Sequence, residues 1–206
     1  MKLLSKVLLL STIISVFISD TFASSGITIK PSNKAALLDG YCDNDEWQSA
    51  TEIALPAEAF IYLMYDEDYL YICVKGKAED ITVLDLYIKS SETGLPHKYH
   101  LSAQMGEKVL SEKGWEITSK EFGFNGYAGF WVPYAGLEDQ ENRKNPKFSR
   151  GTHRQVQISR KKFPGNMLYI MFGVSAIKHN DEWAEFFFPE KGVAEDYTTW
   201  GTFLYH

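Results

Sequence analysis

Two short apolar runs rich in aromatic residues dominate the first half of the chain. They occupy residues 59–65 and 69–76, and the acidic segment Asp66–Glu67–Asp68 separates them. Runs of β-forming residues on either side of a short polar segment are typical of a β-hairpin. The sequence therefore predicts two adjacent antiparallel strands here.

The polar stretch before this hairpin has the pattern of a short helical turn. Asp43 stands where an N-cap side chain accepts backbone N–H bonds, and Asp45 and Glu46 place negative charge in the first turn. Trp47 then falls on the side that turns inward. We expect one capped turn that packs its tryptophan against the sheet.

Most of the other apolar runs are also short and rich in β-forming residues. Predicted strands cover residues 27–30, 81–90, 97–105, 113–118, 154–159, 168–177, 184–188 and 199–205. Glycine, proline, asparagine and aspartate separate these runs, and no long helical period or internal repeat occurs. The pattern favours an all-β fold, an antiparallel β-sandwich in a single domain with a few short helical turns.

The first 23 residues have the features of a secretory signal peptide. Lys2 and Lys6 precede an apolar core at residues 7–18, and residues 21–23 end in the small side chain that signal peptidases accept. The apolar core is too short to span a bilayer comfortably. We therefore expect an exported protein, periplasmic or extracellular, with no membrane span after the signal peptide is removed.

Cleavage is expected near residues 23–25. This leaves a lead-in at residues 24–33 with an edge strand, followed by one domain over residues 34–206. The whole chain has a formal net charge of −6, and loss of the signal peptide makes the charge more negative. Because an acidic surface does not attract phosphate backbones, we expect no nucleic-acid partner.

The chain contains two cysteines, Cys42 and Cys73. In an oxidising compartment they can form a disulfide, which closes a loop of about 30 residues and stabilises the fold by about 3–4 kcal/mol. The alternative is two separate buried thiols, because buried cysteine also behaves as a small apolar side chain. The sequence leaves both open, since pairing depends on geometry.

Candidate ligand-binding rings lie in the segment 122–134, which contains six aromatic residues and three glycines. Exposed rings beside polar groups suit several ligand classes, among them sugars, whose C–H faces stack on flat rings and whose hydroxyls need polar partners. Trp131 is the best candidate, with Tyr127 and Tyr134 beside it. The alternative is that these rings face inward and belong to the core.

A second candidate ring is Trp183, which follows the polar cluster at residues 179–182. Asp181 in this cluster can contact sugar hydroxyls, although a turn before the next strand explains the same pattern. For Trp47 and Trp200 we expect core packing. A solvated loop explains the irregularly spaced basic residues better than an anion site does; these residues are Arg143, Lys144, Lys147, Arg150 and Arg154.

The sequence contains only weak patterns for a metal site and none for catalysis. Asp43 and Asp45 supply oxygen ligands suited to calcium, but their spacing is not that of an EF-hand and a helix start explains them. The five histidines lack zinc spacing. No catalytic motif occurs, so we expect a protein that is not an enzyme and that needs no cofactor.

Motifs near the two ends of the chain resemble one known family. They consist of Asp39, Gly40, Asp43, Trp47, Asp66 and Tyr71 in the N-terminal half, and of Trp200 and Gly201 near the C-terminus. Together they resemble the family 9 carbohydrate-binding modules and their DOMON-like relatives. The resemblance implies a jelly-roll or immunoglobulin-like β-sandwich that binds sugars without cleaving them.

The resemblance also implies a location for the sugar site, and there this sequence departs from the family. Members of the family hold the end of a glycan between two tryptophans on loops at one edge. Here those positions fall on or near Glu79 and on Ala194 or Glu195, and Gln157 stands where an acidic residue is usual. The family can also bind structural calcium. The resemblance therefore supports the family's fold for this chain more strongly than it supports the family's sugar site.

Three hypotheses on function follow. The first is an exported, non-catalytic carbohydrate-binding protein whose glycan contacts exposed rings and polar loop residues. The second is a haem b-binding electron-transfer domain, because DOMON-like relatives hold haem in such a sandwich. Its candidate axial ligands are Met64, Met105, His97 and His100. The third is a structural or interaction domain that has lost the sugar site.

Overall fold

The chain forms an all-β structure of short strands. The computed structural model describes residues 26–42, 45–118, 127–131, 136–137, 146–147 and 151–206. Within these residues the strands are β1 (Ile27–Pro31), β2 (Thr51–Leu55), β3 (Ala59–Tyr65), β4 (Tyr69–Lys75), β5 (Val83–Ser90), β6 (His97–Leu101), β7 (Met105–Ser111), β8 (Gly114–Ile117), β9 (Ala128–Trp131), β10 (Gly136–Leu137), β11 (Pro146–Lys147), β12 (His153–Ser159), β13 (Met167–His179), β14 (Glu182–Phe188) and β15 (Gly201–Tyr205). The described helical elements are 3₁₀ turns at Asp45–Trp47, Arg160–Lys162 and Tyr197–Thr199. The predicted all-β class with a few short helical turns is confirmed.

Thirteen of the strands form one sheet that curls back on itself. The order is β8-β7-β6-β5-β13-β15-β1-β3-β4-β12-β9, with β14 beside β13 and β2 beside β3. The part from β8 to β15, together with β14, is called sheet A below. The part from β3 to β9, together with β2, is called sheet B.

Strand β1 lies inside the sheet and not at an edge, which corrects the predicted edge strand in the lead-in. Ile27 pairs with Phe203 of β15, and Lys30 pairs with Met64 of β3. Both pairings are parallel, so the sheet is mixed and not purely antiparallel. Ile29, between these two contacts, is fully buried. Residues 27–31 of the predicted lead-in therefore belong to the fold and join its two halves.

Alternate side chains of both sheets turn inward and form one apolar core. Leu84, Leu86 and Ile88 of β5 are fully buried, and they belong to the same cluster as Ile72 and Val74 of β4. The intervening residues of each strand face the other way, as the two-residue period of a strand requires. Core packing thus decides which side chains reach the outer face of each sheet.

The N-terminal segment before β2 covers the outer face of sheet B. The residues packed there are Ala36, Cys42, Trp47, Ala50, Met64, Tyr71 and Cys73. Trp47 is buried, and a disulfide joins Cys42 to Cys73. The predicted core packing of Trp47 is confirmed, and of the two alternatives for the cysteines the structure has the disulfide. Asp43, the predicted N-cap and calcium ligand, lies outside the described residues.

Loss of this disulfide is expected to lower the free energy of unfolding by about 3–4 kcal/mol, because the bond closes a long loop in the unfolded chain. The double variant Cys42→Ser, Cys73→Ser tests this in urea unfolding followed by circular dichroism. Reduced wild type is the matched control and should unfold at the same urea concentration as the variant. Equal midpoints for oxidised and reduced wild type would contradict the expectation.

The predicted hairpin is confirmed as β3 and β4, and Asp66 organises its turn. The Asp66 carboxylate accepts hydrogen bonds from the backbone N–H groups of Asp68 (2.9 Å) and Tyr69 (2.8 Å). It also accepts one from the Tyr71 hydroxyl (2.6 Å). Burial opposes the charged form, but the hydrogen bonds outweigh burial and lower the pKa of Asp66. Asp66 and Tyr71 therefore stabilise the turn of the hairpin.

Candidate functional site

The outer face of sheet A carries polar, aromatic and aliphatic side chains, of which Met171 and Tyr87 are buried against Trp200. Strand pairing sets them in two neighbouring rows. The first row contains Met171, Tyr87, Lys98, Lys108 and Ile117. The second row contains Phe187, Gly173, Asp85, His100 and Gly106. We call these two rows, together with Trp183 and Glu185 of β14, the outer strip.

A fixed group of charged side chains lies at the centre of the outer strip. The Asp85 carboxylate accepts hydrogen bonds from His100 Nδ1 (2.7 Å) and Lys98 Nζ (2.9 Å). Burial alone would raise the pKa of Asp85, but these two partners outweigh burial and lower it. Lys98 Nζ also lies 4.9 Å from the centre of the Tyr87 ring. The strip thus presents hydrogen-bonding groups whose positions are already set.

Exposed aromatic rings lie at the β14 end of the outer strip. Trp183 is 50% exposed and Phe187 is 37% exposed, and Glu185 lies between them on the same side of the strand. Lys178 Nζ lies 4.6 Å from the centre of the Trp183 ring. Because alternate residues of a strand share a face, β14 presents two rings and a carboxylate to solvent together.

A groove runs beside these rings, between β14 of sheet A and the end of β2 in sheet B. Its volume is about 550 Å³, and its lining residues are Ala54, Leu55, Pro56, Glu185, Phe186, Phe187, Phe188, Pro189 and Glu190. The lining is largely apolar, with carboxylates from two glutamates. Ligand pockets of a few hundred Å³ commonly combine apolar walls with a few polar groups in this way.

Gly173 joins the aromatic end of the strip to its charged centre. A Cβ atom at this position would lie 3.0 Å from the Phe187 ring and 3.5 Å from both Asp85 Cβ and Glu185 Oε1. The missing side chain therefore lets a ring and two acidic residues approach one another over the backbone of β13. The strip is continuous at this point.

Two tryptophan rings pack against Tyr87 on the outer face of sheet A. The Tyr87 ring centre lies 5.8 Å from that of Trp115 and 5.8 Å from that of Trp200. Trp200 is buried, packs with Met171, and donates from Nε1 to the carbonyl oxygen of Val193 (2.8 Å). The predicted core packing of Trp200 is confirmed. Its packing also fixes the position of Tyr87 beneath Lys98.

The sequence-predicted rings of the segment 122–134 do not join this strip. Trp131 is half-buried on β9 of sheet B, where it lies against Gly40: a Cβ at Gly40 would be 2.5 Å from the indole. Tyr127 packs against the main core and donates from its hydroxyl to Glu107, which matches the inward-facing alternative. Tyr134 lies outside the described residues.

The other two predicted site residues, Trp183 and Asp181, lie at the outer strip. Trp183 is the second residue of β14, and Asp181 occupies the turn just before this strand with a φ of +66°. Lys178 Nζ donates to the carbonyl oxygen of Asp181 (3.1 Å), so the backbone and not the carboxylate of Asp181 makes this contact. The sequence analysis selects neither Asp85 nor Lys98 as a site residue, and it selects His100 only as a candidate haem ligand and not for sugar binding.

Arg154 is a correction to the predicted solvated basic loop. It lies in β12 and is only 2% exposed. Its guanidinium donates to the carbonyl oxygens of Gly151 (3.0 Å) and Ile81 (2.8 Å). Burial lowers the pKa of Arg154 to about 10. Hydrogen bonds to backbone carbonyls hold this residue inside the protein.

The candidate haem ligands face different parts of the molecule. Met64 packs under the N-terminal segment, and Met105 lies in the main core. His97 binds Glu107 (2.6 Å) on the core side of β6, whereas His100 points outward to Asp85. His97 and Met105 thus lie on the core side of sheet A, Met64 and His100 lie elsewhere, and haem binding stays a hypothesis.

The candidate calcium ligand Asp45 has a local partner. Its carboxylate accepts a hydrogen bond from Nε2 of Gln48 (3.0 Å), the residue that follows the 3₁₀ turn. Among the residues that the structure describes, no three His, Cys, Asp or Glu side chains are grouped so that they could hold a metal ion. Structural calcium at Asp43 and Asp45 stays a prediction.

The chain is similar to two solved structures of a family 9 carbohydrate-binding module from Caldicellulosiruptor kristjanssonii. The module in complex with cellotriose is 12% identical, with 86% of this chain and 93% of that chain covered and a TM-score of 0.46. The module in complex with glucose is 11% identical, with 87% and 95% covered and a TM-score of 0.45. No family model and no curated protein matches this chain. At these values the similarity alone decides neither the site nor the ligand.

Proposed function

We propose that this protein is exported and binds a saccharide, without cleaving it, on the outer strip of sheet A. The observation that carries the proposal is the position of two exposed rings, Trp183 and Phe187, beside the hydrogen-bonded group around Asp85. Flat rings suit the C–H faces of pyranoses, and fixed polar groups suit their hydroxyls. The motifs at both ends of the sequence support the same function.

The electrostatics of the strip support binding over hydrolysis. A glycosidase needs a carboxylic acid that keeps its proton near neutral pH. The pKa of Asp85 is lowered, because hydrogen bonds from His100 and Lys98 outweigh its burial. Asp85 is therefore ionised and serves as a hydrogen-bond acceptor for sugar hydroxyls.

Two features support export. The first 23 residues have the composition of a signal peptide, and the disulfide between Cys42 and Cys73 suits an oxidising compartment. Within the described part of the chain, no helix has the length and apolar character needed to cross a membrane.

Replacing either exposed ring with alanine is expected to weaken saccharide binding about fivefold, because stacking on a ring contributes on the order of 1 kcal/mol. The variants are Trp183→Ala and Phe187→Ala, tested against soluble polysaccharides by affinity electrophoresis and against oligosaccharides by calorimetry. Trp131→Ala is the matched control, since Trp131 lies on the other sheet, and it should bind like wild type. Binding lost in the control and retained in both strip variants would refute the proposed site.

A further inference from the structure

Two lysines face each other directly on the outer strip. Lys98 of β6 pairs with Lys108 of β7, and Tyr87 and Ile117 continue the same row on either side. Like charges at directly opposed positions of neighbouring strands destabilise a sheet. A local cost of this kind is often found where a surface serves a ligand.

The Asp85 carboxylate, which lies next to this lysine pair, already has two partners. Asp85 binds both Lys98 and His100, so its single negative charge faces two basic side chains. Lys108 makes no ion pair with any carboxylate of the described residues. Its sequence neighbour Glu107 turns to the core side of β7, where it contacts His97 (2.6 Å). Positive charge therefore remains uncompensated at this end of the strip.

Glu116 on the adjacent strand does not compensate Lys108 either. It pairs with Val109, whose side chain lies on the other side of the sheet from Lys108. Its carboxylate accepts a hydrogen bond from the Ser111 hydroxyl (2.6 Å). The side chain opposite Lys108 on β8 is Ile117, which is apolar.

A depression of about 310 Å³ lies beside the lysine pair. Its lining residues are Lys98, His100, Gly106, Glu107, Lys108 and Ile117, and the Glu107 carboxylate turns away to His97 on the core side of β7. A Cβ atom at Gly106 would meet no atom within 4 Å, so the space above this glycine is open. Ile117 is 74% exposed and offers an apolar surface next to the cations. The depression thus combines positive charge, open volume and an apolar wall.

We infer that the saccharide bound by the outer strip is acidic, with a carboxylate or sulfate group held at Lys108, Lys98 and His100 above Gly106. The inference rests on the proposed function and names the ligand class of that same surface. An anion between the lysines forms charge-assisted hydrogen bonds and relieves their repulsion. The sugar ring that carries the anion lies against Ile117, and neighbouring sugars extend toward Phe187 and Trp183.

The test compares three oligosaccharides of equal length: an oligogalacturonate, a neutral gluco-oligosaccharide, and a sulfated form of the neutral one. Calorimetry at low and moderate salt is carried out on wild type, Lys108→Gln and the matched control Lys113→Gln. Lys113 lies in the exposed turn between β7 and β8, so its loss changes net charge equally without touching the depression. The carboxylated and sulfated ligands distinguish the two sources of negative charge.

Wild type is expected to bind at least one acidic ligand about tenfold more tightly than the neutral one, with an affinity that falls as salt rises. Lys108→Gln should remove about five- to tenfold of that affinity for the acidic ligand, while Lys113→Gln has little effect. Equal binding of acidic and neutral ligands would overturn the inference and leave the proposed function standing. No binding of any saccharide, including a wider neutral panel, would overturn both.

Discussion

Trp200→Ala is expected to lower the free energy of unfolding by about 3–5 kcal/mol, the range typical of removing a buried tryptophan. Trp200 is 5% exposed and packs against Tyr87 and Met171. Its indole N–H bonds to the Val193 carbonyl, so the substitution also leaves that oxygen without its donor. Surrounding strands can collapse only partly into the space, because Tyr87 is held on its other side by Trp115.

Urea unfolding followed by circular dichroism measures this loss directly. Trp183→Ala is the matched control: Trp183 is 50% exposed, so its removal should change the free energy of unfolding by only about 0.5 kcal/mol. If the two variants unfolded at the same urea concentration, Trp200 would not have the packing role that its burial indicates.

Acid is expected to destabilise this protein through Glu107, the second large effect. Glu107 is buried on the core side of β7, where it contacts His97 Nδ1 (2.6 Å) and accepts a hydrogen bond from the Tyr99 hydroxyl (3.1 Å). The hydroxyl of Tyr127 also donates to it, and Lys162 Nζ lies 3.8 Å away. Burial alone would raise its pKa, but these partners outweigh burial and lower the pKa of Glu107 from 4.5 to about 2.

A lowered pKa in the folded state means that the unfolded chain binds the proton more readily. Glu107 therefore stabilises the fold above its unfolded pKa of 4.5, and this contribution is lost as pH falls from about 4.5 to about 2. The shift corresponds to at most about 3 kcal/mol. Glu107→Gln should remove most of this contribution to the free energy of unfolding, because the variant keeps the shape of the side chain but loses its charge.

Urea unfolding at a series of pH values tests the prediction. The free-energy difference between wild type and Glu107→Gln should be largest above pH 4.5 and should shrink toward pH 2. Glu116→Gln, an exposed glutamate on the neighbouring strand, is the control and should follow wild type. A difference that stayed constant across this pH range would assign the effect to packing and not to the charge of Glu107.

Local patterns predicted most individual strands but not their arrangement. The hairpin of β3 and β4 follows from two apolar runs around an acidic turn, and it formed with nearly the predicted bounds. The strand β2 was not predicted, although its alternation of buried Thr51, Ile53 and Leu55 with exposed residues is the signal that marks it. Alternation of this kind over five residues is short and easily passed over.

The central position of β1 could not be predicted from the sequence. Its partners Phe203 and Met64 lie far along the chain, and parallel pairing leaves no local turn signal. A short polar segment at the start of a domain therefore suggested an edge. Long-range pairing overrode that interpretation, because Ile29 completes the core between the two sheets.

The candidate site also depends on long-range strand pairing that local sequence patterns do not reveal. Trp183 could be proposed from its polar neighbours, but Asp85 and His100 are 15 residues apart and meet only because β5 and β6 pair in this register. Glu185 and Phe187 approach Asp85 only through the pairing of β14 with β13 over Gly173. Trp131 was the preferred ring because glycines surround it. One of those residues, Gly129, pairs with Gln157 in a strand of sheet B.

The most direct test of the outer strip as the saccharide site is NMR of the five tryptophan indole N–H groups in ¹⁵N-labelled protein. Alanine or phenylalanine substitutions assign the signals, and each is then followed during titration with neutral and acidic oligosaccharides. Binding at the outer strip should give a concentration-dependent shift of the Trp183 signal, while those of Trp47 and Trp131 stay in place. Shifts confined to Trp131, or no shift with any saccharide, would contradict it.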